Sequence, residues 1–465
     1  MKIRVLVTVR LLLKLASVAA MALITGCSKS EPIEAVITID PAQHYQTMSA
    51  WEATAQAGQE FASYEKYRDK LAFDAVNELG INRLRVEVRS GSENSVDYGE
   101  MHRAGEITDS EFRKKRYEII NDNEDPFQTD RSRFHFGELD RTIDALVLPM
   151  KKLLSDRNET LFVNLNYVDF GSSDFEHKND PEEYAEFILA AFLHMKEKYG
   201  FVPDYVEVVL EPDTDSAQWS ARQVANALAA TATRLKGNGF EPAFIAPSTT
   251  NAKNALTYID EIAAVPEAIE AIEEFSYHRY SGVTENVLRG MSERAVRYGK
   301  RTSMLEWIGA DHNTLHDDLK IANVSSWQQY TLAYSGSDEG DSYYKVDPEE
   351  SDPAPKAGRR TRFLSQYFRY VRTGAVRVAA STTNAELDPV AFRNLNGSFT
   401  VVILAASRGT AAVSGLPAGR CSASYTSEED SRMLMQEFNV AAGQSLVVEI
   451  PSAGVVTIST ASTDR

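Results

Sequence analysis

Cysteine is nearly missing: the 465 residues include only Cys27 and Cys421. That excludes a disulfide framework and any zinc cluster built on cysteine. A basic surplus is missing too, since 49 Lys and Arg stand against 67 Asp and Glu, a net charge of −18. This argues against a general nucleic-acid binder, which presents a basic surface. Beyond the N-terminal segment no apolar run approaches the roughly 18 residues of a membrane-spanning helix. What is there is ordinary for a globular protein, with 43% hydrophobic and 25% charged residues. The length admits one large domain with a smaller one, or two to three average ones, with cores that need neither disulfide nor metal.

Met1 to Gly26 reads as a targeting signal. Lys2, Arg4, Arg10 and Lys14 make a positive region without an acid, and Leu15 to Ile24 is apolar but too short to span a bilayer. The segment ends Leu23-Ile24-Thr25-Gly26-Cys27, which resembles a bacterial lipoprotein signal whose cysteine is acylated and becomes the new N-terminus. The alternative is an ordinary secretory signal with Cys27 incidental. Acyl chains would hold the protein to a membrane without a spanning helix, as an exported protein of the cell envelope. Removal of residues 1–26 takes away four basic residues and no acids, leaving 45 against 67 and a net charge of −22. That charge weakly disfavours highly acidic polysaccharides as substrates. Ser28 to Glu34, part of a 27–34 stretch, reads as a tether.

The body alternates β-type runs with helical patterns. Strand candidates are Gln46–Trp51, Ile81–Val88, Leu161–Tyr167, Tyr205–Leu210, Ala243–Pro247, Glu273–His278, Thr302–Glu306 and Gln329–Tyr334. Helical patterns fall between them, the clearest at Pro181–Tyr199. There Asp180 suits the N-cap, Pro181 the first turn, and Gly200 the stop. Eight strand–helix pairs predict a (β/α)8 barrel over residues 45–373. The long Arg89–Gly137 loop would lie over its C-terminal face, where active sites form. From residue 374 to 465 the chain turns to short β runs, with a hairpin signal at Asn396-Gly397. This predicts an all-β sandwich, joined by a strand near Ala35–Asp40 in an N-terminal 35–44 segment. Cys421 would be a small buried residue of that sandwich.

In a barrel, polar residues at the C-terminal ends of strands are the first catalytic candidates. Glu211 follows the fourth strand candidate and Glu306 ends the seventh. Paired carboxyls across a barrel mouth suit glycosidic bond cleavage, one donating a proton to the leaving oxygen and one attacking the anomeric carbon. Arg85 shares a strand face with Arg83 and Glu87, and its partner would be Glu306 or Glu87. Tyr280 is placed to donate to the nucleophile. His278 would contact sugar hydroxyls or serve as a core histidine. Trp51 and Trp307 would offer flat faces to a sugar ring or pack in the core. Asn166 is a further sugar-binding candidate.

These motifs, in this order, resemble a clan A retaining glycoside hydrolase, closest to glycoside hydrolase family 30. The matching pieces are Leu210-Glu211-Pro212, Glu306, Tyr277-His278-Arg279-Tyr280, Leu84-Arg85-Val86 and Gln46-Thr47-Met48-Ser49-Ala50-Trp51. Phe363-Leu364-Ser365-Gln366-Tyr367-Phe368 with Gly374-Ala375-Val376-Arg377-Val378, and Ala391-Phe392-Arg393-Asn394 with Asn396-Gly397-Ser398, extend the match into the β module. The resemblance implies a barrel joined to a sandwich made from both chain ends. It implies Glu211 as acid/base, Glu306 as nucleophile, a carbohydrate substrate, and no metal or organic cofactor. Departures mark a distant branch. Leu210 stands where the clan has an asparagine that binds the sugar 2-hydroxyl, and Thr373 stands where a proline is common. Leu210 motivates a second reading, a carbohydrate-binding protein on a catalytically weakened scaffold. A third, a barrel lyase, lacks support from the paired glutamates.

Overall fold

The computed structural model of the chain describes residues 33–171, 173–334 and 341–461. The signal segment and Cys27 lie outside them. Among the described residues no helix is long and apolar enough to cross a membrane.

After β1 (Ile33–Thr47) come eight parallel strands: β2 (Ala50–Thr54), β3 (Arg83–Arg89), β4 (Phe162–Val168), β5 (Tyr205–Glu207), β6 (Ala243–Asn251), β7 (Ile272–Ser281), β8 (Arg301–Glu306) and β9 (Val324–Tyr334). Each pairs with the next, and β9 pairs with both β8 and β2, so the sheet closes into the expected barrel. Two short strands, β10 (Ser342–Lys345) and β11 (Lys356–Ala357), continue outward from β9. Helices cover the barrel. That at Pro181–Tyr199 has the bounds the sequence predicts, because both ends are chemically marked. The Asp180 carboxylate accepts from the backbone N–H of Glu182 and Glu183, and Gly200 takes the left-handed φ of 76° that ends the helix.

Strand β3 shows how the barrel divides its residues. Leu84, Val86 and Val88 are buried in the apolar layer between sheet and helices. Arg83, Arg85 and Glu87 alternate with them and point inward. The barrel floor is therefore polar. Arg83 donates to Glu52 (2.8 Å) and to both oxygens of Glu274 (3.1 Å), all three residues fully buried. Asn164 bridges Glu52 and Glu207 at 2.9 Å each. A small apolar cluster of Tyr205, Ile245 and Leu305 fills the remainder.

The second domain is one nine-stranded sheet in the order β17-β16-β19-β14-β13-β12-β1-β15-β18. Its strands are β12 (Val376–Thr382), β13 (Leu387–Arg393), β14 (Phe399–Ala405), β15 (Gly409–Ser414), β16 (Gly419–Thr426), β17 (Met433–Val440), β18 (Leu446–Ile450) and β19 (Gly454–Thr460). Ile37, Val401, Val413, Ala423, Val448 and Ile458 share a single core, so the sheet folds over itself as a sandwich. Cys421 sits in that core as a free thiol, and burial pushes its pKa up. Val390, Phe392, Val402 and Val455 face the other way and join the barrel's apolar layer, which fixes one domain on the other.

Three expectations shift. Gln46 and Thr47, expected in the first barrel strand, end β1 in the sandwich sheet, where Thr47 pairs with Val376. Strand β9 begins at Val324, five residues before the expected Gln329. Strand β5 stops at Glu207, three short of Leu210. This last difference shapes the site.

Candidate active site

Val208 to Leu210 is apolar enough to read as strand, yet leaves the ladder. The Leu210 N–H donates to Tyr167 O (2.9 Å), and that of Glu211 to Ser248 O (3.2 Å). Glu211 takes a φ of 49°, and Ser248 on the neighbouring strand 51°. Positive φ is uncommon for residues with a Cβ and marks a conformation imposed by surroundings. The next residues hold it. The Asp213 carboxylate accepts from the Thr250 N–H (2.7 Å), the Thr250 hydroxyl (2.7 Å) and Asn254 Nδ2 (2.8 Å). Because regular alternation ends at Glu207, both glutamates turn inward, at different depths. Glu207 stays on the floor, accepting from Asn164 and from Ser248 Oγ at 2.6 Å, while Glu211 rises to the mouth.

Glu306 meets Glu211 from β8. An oxygen of Glu211, an oxygen of Glu306 and a ring nitrogen of His278 all lie within 4.8 Å of one another. Glu306 is 5% exposed, and both its oxygens are held. Oε2 accepts from Arg85 Nη2, and Oε1 accepts from the Tyr280 hydroxyl at 2.8 Å. Arg85 also donates to the Leu305 carbonyl (3.4 Å). Glu87, the other partner considered for Arg85, instead accepts from Arg89 and Gln56 at 3.2 Å each. Burial opposes the Arg85 charge, but the charges of Glu306, Glu207 and Glu87 outweigh it and raise the pKa. Burial and the Glu306 charge push the Tyr280 phenol up, so it remains a donor.

His278 is fully buried and shares a 3.0 Å hydrogen bond between Nδ1 and Glu211 Oε1. Burial works against its protonation. The bond to Glu211 and the charge of Glu306 outweigh burial and set its pKa above the usual imidazole value. A divalent cation in this triangle would compete with the Arg85 guanidinium already on Glu306, so the donor set suits proton transfer better than metal binding.

The other expected residues divide. Asn166 lies inside the barrel between Glu87 and Glu207 in register, fully buried, and neither atom of its amide has a partner. Trp307 is half-buried with Arg279 over its ring at 5.6 Å. Trp51 is not at the mouth. It is 1% exposed, stacks on Phe368 at 4.2 Å, and donates its indole N–H to the Val371 carbonyl at 2.6 Å. Both the face and the edge of that ring are used, so of the two readings for Trp51 core packing replaces the sugar platform.

A cavity of about 540 Å³ adjoins Arg85 on this face. His102, Phe112, Arg113 and Arg116 of the long loop line it, which puts part of Arg89–Gly137 over the barrel mouth as expected. Its charge does not follow the protein's overall sign. Arg85, Arg89, Arg113, Arg116 and Arg141 face Glu60, Glu87, Asp109 and Glu138. Sequence reasoning missed Arg89, which simply continues the inward alternation of Arg83, Arg85 and Glu87. It also missed Tyr330, whose ring centre is 5.9 Å from the Arg85 guanidinium. Tyr330 lies within the expected strand, but nothing in its local sequence marks it as a partner of Arg85 across the barrel.

No family model matches this sequence, and no curated protein matches it. Solved structures do. A conserved exported protein from Bacteroides fragilis is 14% identical with a TM-score of 0.67, over 91% of this chain and 100% of the other. A GH30 endoxylanase from Clostridium papyrosolvens C71 is 15% identical with a TM-score of 0.65, over 91% and 99%. An endo-β1,6-glucanase is 14% identical with a TM-score of 0.64, over 92% and 94%. Nearly the whole of each structure is matched, barrel and β-sheet domain together, and the chain therefore has a glycoside hydrolase-like fold.

Proposed function

We propose that the protein is a retaining β-glycoside hydrolase acting on an oligo- or polysaccharide. The observation that carries this reading is that an oxygen of Glu211, just past β5, and an oxygen of Glu306, at the end of β8, approach within 4.8 Å. Retaining enzymes keep their carboxyl groups roughly 5–5.5 Å apart, whereas inverting ones need roughly 6.5–9.5 Å to seat a water. Glu306, with Arg85 and Tyr280 fixing both oxygens, suits the nucleophile, which must be oriented at the anomeric carbon. It forms the glycosyl-enzyme while Glu211 gives its proton to the leaving oxygen. Glu211 then takes a proton from water, which attacks the anomeric carbon and releases Glu306. His278, bonded to Glu211, orients it in both steps.

Leu210 cannot donate to the sugar 2-hydroxyl. We assign that contact to Asn166, whose two amide atoms are buried without a partner, a costly state that a sugar would relieve once a covering side chain is displaced on binding. Asn166→Ala is expected to lower kcat/KM by roughly 10–100-fold, the worth of a hydrogen bond that strengthens in the transition state. An unchanged kcat/KM would remove Asn166 from the site.

The xylanase and the glucanase among the similar structures act on different polymers, so a panel of nitrophenyl β-glycosides and plant and algal glycans tests activity. Hydrolysis of a panel member supports the enzyme. Binding without hydrolysis of any member would support the second reading, a carbohydrate-binding protein weakened at Leu210. One similar structure is of an exported protein, and the signal segment carries this chain to the same fate, held by acyl chains on Cys27. The mass of the mature N-terminal peptide tests this, and an unacylated Cys27 would contradict it.

A further inference from the structure

We propose that Asp122, Glu183 and Glu186 form a calcium site that fastens the long loop over the barrel mouth to the Pro181–Tyr199 helix. An oxygen of each carboxylate lies within 4.8 Å of the others. Ligands of one calcium ion, each about 2.4 Å from it, stand no farther apart than this. All three residues are buried, and among the described residues none of the three is in an ion pair. Glu186 carries the argument. It is 1% exposed, and neither of its oxygens has a hydrogen bond with proper geometry, although Thr129 and Glu183 stand beside it. The Asp122 Oδ1 is likewise buried without a partner. A buried carboxylate with neither counter-charge nor donors, as Glu186 is, is strongly unfavourable, and two more carboxylates beside it add to the cost even though Asp122 Oδ2 accepts from the Asp130 N–H and Glu183 from Asn121.

The donor set selects the ion. It is all oxygen, which suits a hard cation rather than zinc or copper. The neighbouring Asn121 amide adds to it, with Nδ2 donating to Glu183 at 3.3 Å and a buried Oδ1 that has no partner. Glu183 and Glu186 are three apart on one helix face, and Asp122 comes from the loop. The loop is already drawn towards that point, since the Asp122 N–H donates to Glu93 Oε1 at 3.0 Å while Glu93 pairs with buried His177 at 2.7 Å. The same loop supplies Phe112, Arg113 and Arg116 to the cavity beside Arg85, so calcium would order one wall of the cleft.

The test compares the purified chain in EDTA with the same chain in about 2 mM calcium or magnesium chloride. Calcium is expected to raise the unfolding midpoint by about 3–5 °C. Magnesium should raise it less, and one calcium per chain should survive dialysis. In Glu186→Gln the EDTA midpoint should be at or above that of the parent, because a buried charge is removed, and the calcium response should vanish. Asp122→Asn serves if that variant does not fold. No calcium response in the parent, or an equal response in a folded Glu186→Gln or Asp122→Asn, would overturn the site. In the first case the carboxyls share protons instead.

Discussion

Replacing Glu306 with glutamine is expected to lower kcat by roughly 10⁴-fold or more, the scale on which loss of a nucleophile is felt. Glutamine keeps the size and one acceptor oxygen of the side chain but cannot form the glycosyl ester. The loss should fall on kcat rather than KM, because the bond to the anomeric carbon is made only past the ground state. The variant should fold, since Arg85 keeps the attraction of Glu207 and Glu87 after Glu306 loses its charge. Steady-state kinetics on the best substrate of the panel check this. A kcat within tenfold of the parent would take Glu306 out of the reaction.

The second large effect is on stability, at the barrel floor. Arg83→Met is expected to cost about 3–5 kcal/mol at pH 7, as for other buried ion pairs broken on one side. Arg83 is fully buried between Glu52 and Glu274. Burial raises the Glu274 pKa, but the Arg83 charge and hydrogen bonds outweigh it and hold it below the usual carboxylate value. A carboxylate with a depressed native pKa contributes stability above its unfolded value near 4.5, and loses it as pH falls through the native value. Without Arg83, buried Glu274 and Glu52 lose the one guanidinium that bridges them. The deficit should therefore shrink as the pH falls towards 4 and both carboxyls take protons. Arg83→Met/Glu274→Gln should recover part of it. Urea unfolding at both pH values measures this, and an equal loss at both would show that the charge is not its cause.

Legibility in the sequence followed the range of the signal. The Pro181–Tyr199 helix was readable to the residue because Asp180, Pro181 and Gly200 are local marks. Strands β3, β4 and β8 were found nearly whole, because apolar runs bounded by turns reflect burial against helices. Strand β5 was overread, since Val208-Val209-Leu210 is as apolar as a strand but is bent by what Glu211 and Ser248 require. Strands β15 and β17 were not foreseen. Gly409–Ser414 is built of small residues, and β17 lies at the sheet edge with Leu434 exposed.

The candidate site was legible where residues stood at strand ends in family-like order, as with Glu211, His278, Tyr280 and Glu306. It was illegible where partners meet across the barrel. Arg83 and Glu274 are 191 residues apart, and Asp122 meets Glu183 through a loop with no regular pattern. Trp51 shows the converse. An aromatic near a strand end reads as a sugar platform or as core, and only the last helix, through Phe368 and Val371, decides between them by covering the ring.

The most direct test of the central reading is the stereochemistry of the first product. Proton NMR in the first minutes of hydrolysis of a susceptible β-glycoside resolves the anomer before mutarotation. Double displacement through Glu306 predicts that the β-anomer appears first. Initial release of the α-anomer would mean a single displacement by water, and would contradict the nucleophile role of Glu306.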